Sequence, residues 1–170
     1  MIILKRFIIE KLKQWKESKY RKPLSLKGAR QVGKTYILKK FGEENYEGVA
    51  YFNFDHDEDL YNLFENTKDP KRILEQLVFI HGKSIKPEKT LIFFDEIQEC
   101  PNIISSLKYF CQDFREIPII ATGSMVRIRL QRELTRNGST QKFMFPVGKI
   151  EQLTIYPLSF DEFLLNSNEK

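Results

Sequence analysis

Three short stretches of the chain carry side chains suited to handling a phosphate group. The first, Gly28-Ala29-Arg30-Gln31-Val32-Gly33-Lys34-Thr35, fits the P-loop pattern G-x-x-x-x-G-K-[ST] without a gap. Glycines let backbone N–H groups curl around phosphate oxygens at a helix N-terminus. Lys34 brings a point charge to the β- and γ-phosphates, and the Thr35 hydroxyl is a Mg²⁺ ligand. Arg30 is expected to point away, because backbone does the cradling. The second stretch, Leu91-Ile-Phe-Phe-Asp95-Glu96, is a Walker B pattern, a buried strand delivering two acids at its end. Asp95 is read as holding the Mg²⁺ shell and Glu96 as activating water. The third, Ile117 to Ser124, places Thr122 and Ser124 after a buried strand, where a hydroxyl can reach a γ-phosphate or a water. Ser124 is the preferred candidate, although Ser and Thr are also ordinary turn residues there.

These side chains need elements to hold them, and the sequence supplies a set. Residues 2–17 read as an amphipathic helix, with Ile2, Ile3, Phe7, Ile8, Leu12 and Trp15 as its apolar stripe. Pro23 to Lys27 reads as a strand entering the phosphate loop, and Lys34 to Phe41 as the helix leaving it, with Gly42 as its C-cap. Val49 to Phe54, rich in β-branched and aromatic residues, reads as a buried strand. The acidic run Asp55, Asp57, Glu58 and Asp59 opens a helix, where negative charge suits the helix dipole. Pro70 starts another, through about Ile80, with Ile73, Leu74, Leu77, Val78 and Phe79 facing inward. Further strands are expected at Thr90–Phe94, Ile117–Ala121 and Lys149–Tyr156, and helices at Pro101–Phe114 and Ser159–Leu165. Residues 125–136 suggest a helix and 141–145 a short strand. Continuous apolar strands alternating with helices predict an α/β fold, a three-layer sandwich with a parallel sheet covered on both faces. A glutamate directly after the Walker B aspartate points to strand order 5-1-4-3-2.

Composition narrows the function classes. The chain has 170 residues, 41% of them hydrophobic and 30% charged, enough to bury a core. No apolar run approaches the roughly 20 residues that cross a bilayer, and no signal peptide is evident, so a cytoplasmic location is expected. Cys100 and Cys111, read as lying on one helix about 16 Å apart, are too distant to pair. His56 and His81 have no zinc-site spacing and read as ordinary surface or boundary residues. The net charge is +5, and the first 22 residues hold Lys5, Arg6, Lys11, Lys13, Lys16, Lys19, Arg21 and Lys22. That run suits either a nucleic-acid footprint or a solvated face, the second being favoured by the apolar stripe between them.

Taken together, Gly28 to Thr35, Phe94-Asp-Glu-Ile-Gln98, Ala121-Thr-Gly-Ser124 and Tyr156-Pro-Leu-Ser-Phe-Asp-Glu-Phe163 resemble a family of bacterial and archaeal AAA-type ATPases within the AAA+ superfamily. The resemblance spans about residues 20–165 and implies ATP with Mg²⁺ and hydrolysis to ADP and phosphate coupled to a conformational change. A slow ATP-dependent switch or interaction module would carry the same motifs. It implies roles for Lys34, Glu96 and Ser124 in catalysis, for Thr35 and Asp95 at the metal, and for residues 28–35 at the nucleotide. It further implies one ATPase domain over residues 1–170, truncated before a helical lid and an uncharacterised C-terminal domain. AAA-type hydrolysis often takes an arginine from a neighbouring subunit, so a homo-oligomer is expected. Arg127, Arg129, Arg132 and Arg136 are candidates, the last three sharing one face if helical, although a solvated basic face is the favoured reading of that row. A kinase is disfavoured by the water-activating glutamate and the lack of an acceptor motif.

Overall fold

The computed structural model describes residues 5–100, 102–123 and 146–167. Five short strands line up in parallel. They are β1 (Leu24–Gly28), β2 (Gly48–Asn53), β3 (Thr90–Asp95), β4 (Ile119–Thr122) and β5 (Glu151–Ile155). Their order is β2-β3-β4-β1-β5, the expected 5-1-4-3-2 read from the other edge. Three of the strands, β2 to β4, are rich in β-branched and aromatic residues. Interior strand β3 is buried along its whole length, covered on both faces, whereas edge strand β5 is fully buried only at its last residue, Ile155.

Strand period divides the core in two. Ile92, Phe94, Ile119, Ala121, Ala50 and Phe52 project to one face. There they pack beneath α3 (Glu58–Asn66), α4 (Pro70–His81) and α5 (Asn102–Asp113). Leu91, Phe93, Ile120, Leu24 and Leu26 project to the other, beneath α1 (Ile8–Glu17) and α2 (Lys34–Asn45). Local chemistry starts and stops these helices. Asp57 and Asp69 accept hydrogen bonds from Leu60 N and Lys71 N as N-caps, Pro70 occupies the first turn of α4, and Gly82 ends it at φ +70°.

Four expectations need correction. The helix expected over residues 2–17 begins at Ile8 among the described residues. Gly42 does not end α2, which runs on to Asn45; a Cβ there would lie 2.5 Å from Val49 Cγ2 and 3.2 Å from Leu91 Cδ2, so this glycine lets the helix lie close on the sheet. Phe79 is not part of the inner face of α4 but 82% exposed, because two residues past buried Leu77 it stands about 200° around the helix from it. Cys100 precedes α5 rather than sharing it with Cys111, and both thiols are buried and unpaired. The possible helix 125–136 and strand 141–145 lie outside the described residues.

The last helix, α6 (Phe160–Ser167), begins with a capping box. Ser159 N donates to Glu162 Oε2 at 3.0 Å and Glu162 N donates to Ser159 Oγ at 3.2 Å. Glu162 Oε1 also accepts from Arg6 Nε at 3.1 Å and Phe7 N at 2.9 Å, tying the start of α1 to the start of α6. Lys5 and Asn166 exchange two further bonds there. Burial alone would raise the Glu162 carboxyl's pKa; the Ser159 and Phe7 N–H groups and the Arg6 guanidinium outweigh it and hold the group below the usual carboxylate range.

Candidate functional site: a phosphate loop facing a buried carboxylate

Strand β1 runs into the loop at Gly28, and α2 begins at Lys34 behind Gly33 in the left-handed region, φ +87°. Gln31 is also left-handed, at φ +63°. Gly28 is fixed by packing: a Cβ there would stand 2.5 Å from Ile155 Cγ2 and 2.6 Å from Ile155 O. The loop therefore leaves the sheet close against β5. Ala29 O and Gly28 O accept from Lys34 Nζ at 2.6 and 3.1 Å, which holds the ammonium over the loop. Val32 packs against the α1/α2 core.

A cavity of about 470 Å³ opens here, lined by Arg30, Gln31, Gly33, Lys34, Thr35, Tyr36 and Glu96. Arg30, expected to point away, is one of its walls. Half-exposed Tyr36 is shared with a second cavity of about 450 Å³, bordered by Phe7, Ile9, Ile37 and Lys40.

Parallel β3 ends beside the loop and delivers Asp95, which is 3% exposed. Its Oδ2 accepts from Thr35 Oγ1 at 2.8 Å and from the Tyr51 phenol at 3.1 Å; its Oδ1 accepts from Glu96 N at 3.1 Å and from Thr122 Oγ1. Three hydroxyls and a peptide N–H thus satisfy a buried carboxylate, with no ion pair to it among the described residues. Burial pushes the Tyr51 phenol up to about 12, with the Asp95 charge, the bond to Asp95 and the Glu96 charge adding. Glu96 itself adopts φ +57°, ψ +39°, turning its side chain out of the strand line. The turn Ile97–Glu99 then places Gln98 so that its Nε2 donates to Glu96 Oε2.

The sequence candidates Lys34, Thr35, Asp95 and Glu96 thus converge. Thr122 is buried and gives its hydroxyl to Asp95, not to the cavity where a γ-phosphate was expected to meet it. Ser124 and the arginines Arg127, Arg129, Arg132 and Arg136 lie outside the described residues. Tyr51 and Gln98 were not singled out for the site, and spacing offers no signal for either; the capping pair Ser159 and Glu162 was also passed over, although its S-x-x-E spacing is a signal that could have found it. Among the described residues no three His, Cys, Asp or Glu side chains cluster as a metal cage. A hydroxyl paired with one buried carboxylate is a donor set that suits Mg²⁺, which keeps its waters and completes its shell with substrate phosphates.

The basic N-terminal run is partly engaged by partners within the chain. Arg6 pairs with Glu162, Lys13 with Glu10 and Arg21 with Glu88, and Lys16 lies over the Tyr46 ring. Among the described residues no helix is long and apolar enough to cross a membrane.

Comparison with known proteins agrees with this architecture. No curated protein sequence matches the chain significantly. The solved structure of a Walker-type ATPase of Pyrococcus abyssi is similar, with a TM-score of 0.57 at 18% sequence identity, covering 98% of this chain. The match takes in 57% of that structure's own chain, so this chain spans little more than half its length. At that identity the likeness speaks for the fold. The sequence profile of a family described as "AAA domain" matches residues 20–164, from the strand before the phosphate loop to the capping box of α6. With the phosphate loop and the parallel sheet in the order above, the chain belongs to this AAA-domain family of P-loop ATPases.

Proposed function

We propose that the chain binds Mg²⁺–ATP in the Lys34/Glu96 cavity and hydrolyses it to ADP and phosphate. The observation that carries this is the bond between Thr35 Oγ1 and Asp95 Oδ2, 2.8 Å, beside a lysine held over a glycine loop. Backbone N–H groups of residues 29–34 and Lys34 bind the phosphates. Thr35 and Asp95 hold the metal, which when bound neutralises charge on the β- and γ-phosphates. Glu96 lines the same cavity and takes a proton from the water that attacks the γ-phosphorus, as the bond to the bridging oxygen breaks. The neighbouring cavity, joined through Tyr36, offers room for the nucleoside half. A subunit partner supplying Arg129, Arg132 or Arg136 fits the family; a per-molecule rate that rises with protein concentration supports it, and a flat rate argues against it.

The test is a pair of variants. Lys34→Ala is expected to weaken ATP binding at least about 100-fold. Glu96→Gln is expected to leave binding within about twofold and to lower turnover by about 100-fold or more, as for removal of a general base. Equal ATP affinity in wild type and Lys34→Ala refutes the site assignment.

A further inference from the structure

We infer that Gln98 is a positioning residue for Glu96: its side-chain amide holds the carboxylate toward the phosphate cavity, and Gly123 makes the room for that amide. The inference rests on the role of Glu96 proposed above. Glu96 is constrained at both ends. Its backbone sits in the left-handed region at φ +57°, and its N–H is bonded to Asp95 Oδ1 at 3.1 Å. At the other end its Oε2 accepts from Gln98 Nε2. A glutamate beside an open cavity would otherwise sample several rotamers, each moving the carboxylate away from an attacking water.

Gln98 is built in, not laid on. It is 2% exposed although it follows the strand end by only three residues, because the turn Ile97–Glu99 folds it back under the sheet edge. Space for it comes from β4: a Cβ on Gly123 would lie 2.7 Å from Gln98 Oε1, 2.9 Å from Ile97 Cγ1 and 3.3 Å from Gln98 N. Thus the glycine after Thr122 belongs to the same device as the glutamine after Asp95-Glu96. Two neighbouring strand ends cooperate: Thr122 steadies Asp95 while Gly123 admits the residue that steadies Glu96. Burying an amide so close to a cavity costs desolvation, which its bond to a carboxylate offsets.

The experiment is a double-mutant cycle on the full chain. Single-turnover ATP hydrolysis with protein in excess, ATP affinity at equilibrium and thermal midpoint are measured for wild type, Gln98→Met, Glu96→Gln and the double variant. Met keeps the volume and removes the donor; Gln98→Glu, isosteric but repelling Glu96, is the second variant should Met perturb folding. Expected is a turnover loss of about 10- to 100-fold in Gln98→Met with ATP affinity within about twofold. Adding it to Glu96→Gln is expected to lower turnover no further, since both act through one carboxylate. Wild-type turnover in Gln98→Met and Gln98→Glu overturns the inference while leaving the role of Glu96 standing. So does a loss that adds in full to that of Glu96→Gln, or a fall in ATP affinity and thermal midpoint matching the fall in rate, either of which would mark a structural residue. Unchanged turnover in Glu96→Gln alone, or none in the wild type, refutes the underlying reading and the inference with it.

Discussion

Glu162→Gln probes the clasp that joins the two ends of the described fold. The carboxylate is 5% exposed and accepts three bonds, from Arg6 Nε, Phe7 N and Ser159 N, at 3.1, 2.9 and 3.0 Å. A hydrogen bond to a charged group is worth about 1.5–3 kcal/mol net. Gln keeps one oxygen for Arg6 and Phe7 but loses its charge, and it turns an NH₂ toward the Ser159 N–H, where two donors meet. One bond is lost and two are weakened, so the expected cost is about 2–4 kcal/mol. For a chain of this size that lowers Tm by about 5–15 °C. The pH dependence follows from the depressed pKa: its contribution is fully present above the unfolded value near 4.5 and is lost as pH falls from there through the folded value. Urea titrations of both proteins between about pH 7 and pH 3 should give equal slopes and a stability gap that narrows below about pH 4.5. A gap under about 0.5 kcal/mol at neutral pH, or one that does not narrow in acid, refutes the reasoning.

Other residues offer independent checks. Gly42→Ala gains about 1 kcal/mol of helix propensity but drives a methyl into Val49 and Leu91, so a net loss of about 1–2 kcal/mol is expected by urea denaturation; a net gain would mean that the helix can lift from the sheet at no cost. Thr122→Val removes one donor from Asp95, and a rise of about 10-fold or more in the Mg²⁺ concentration needed for half-maximal nucleotide binding is expected, with metal-free binding unchanged. Cys100, buried and with its thiol pushed up to about 12 chiefly by burial, should resist a thiol reagent in the native protein at neutral pH and react once urea unfolds it.

Much of the candidate site was legible in the primary structure because its parts are local. A phosphate loop must be contiguous, since its backbone N–H groups act together, and so Gly28 to Thr35 stand in one run between a strand and a helix. A buried strand that ends on acids can be read in Leu91 to Glu96, and the alternation of apolar strands with helices foretells a parallel sheet. A helix start written in a side chain, such as Pro70 in the first turn of α4, was readable for the same reason.

What only the tertiary structure decided are the pairings between segments far apart in the chain. The meeting of Asp95 with Tyr51 and Thr122 depends on strand register across β2, β3 and β4, to which no single segment's pattern refers. Gly42 looks the same in sequence whether it caps a helix or admits a neighbour; the nearness of Val49 and Leu91 made it the second. Phe79 was read into the apolar face of α4, but packing turned Ile73 and Leu77 inward and left Phe79 on the other side of the helix. Local propensity and period are properties of a few adjacent residues, whereas register, close approach and the extent of a covering layer arise only when separate elements are packed together.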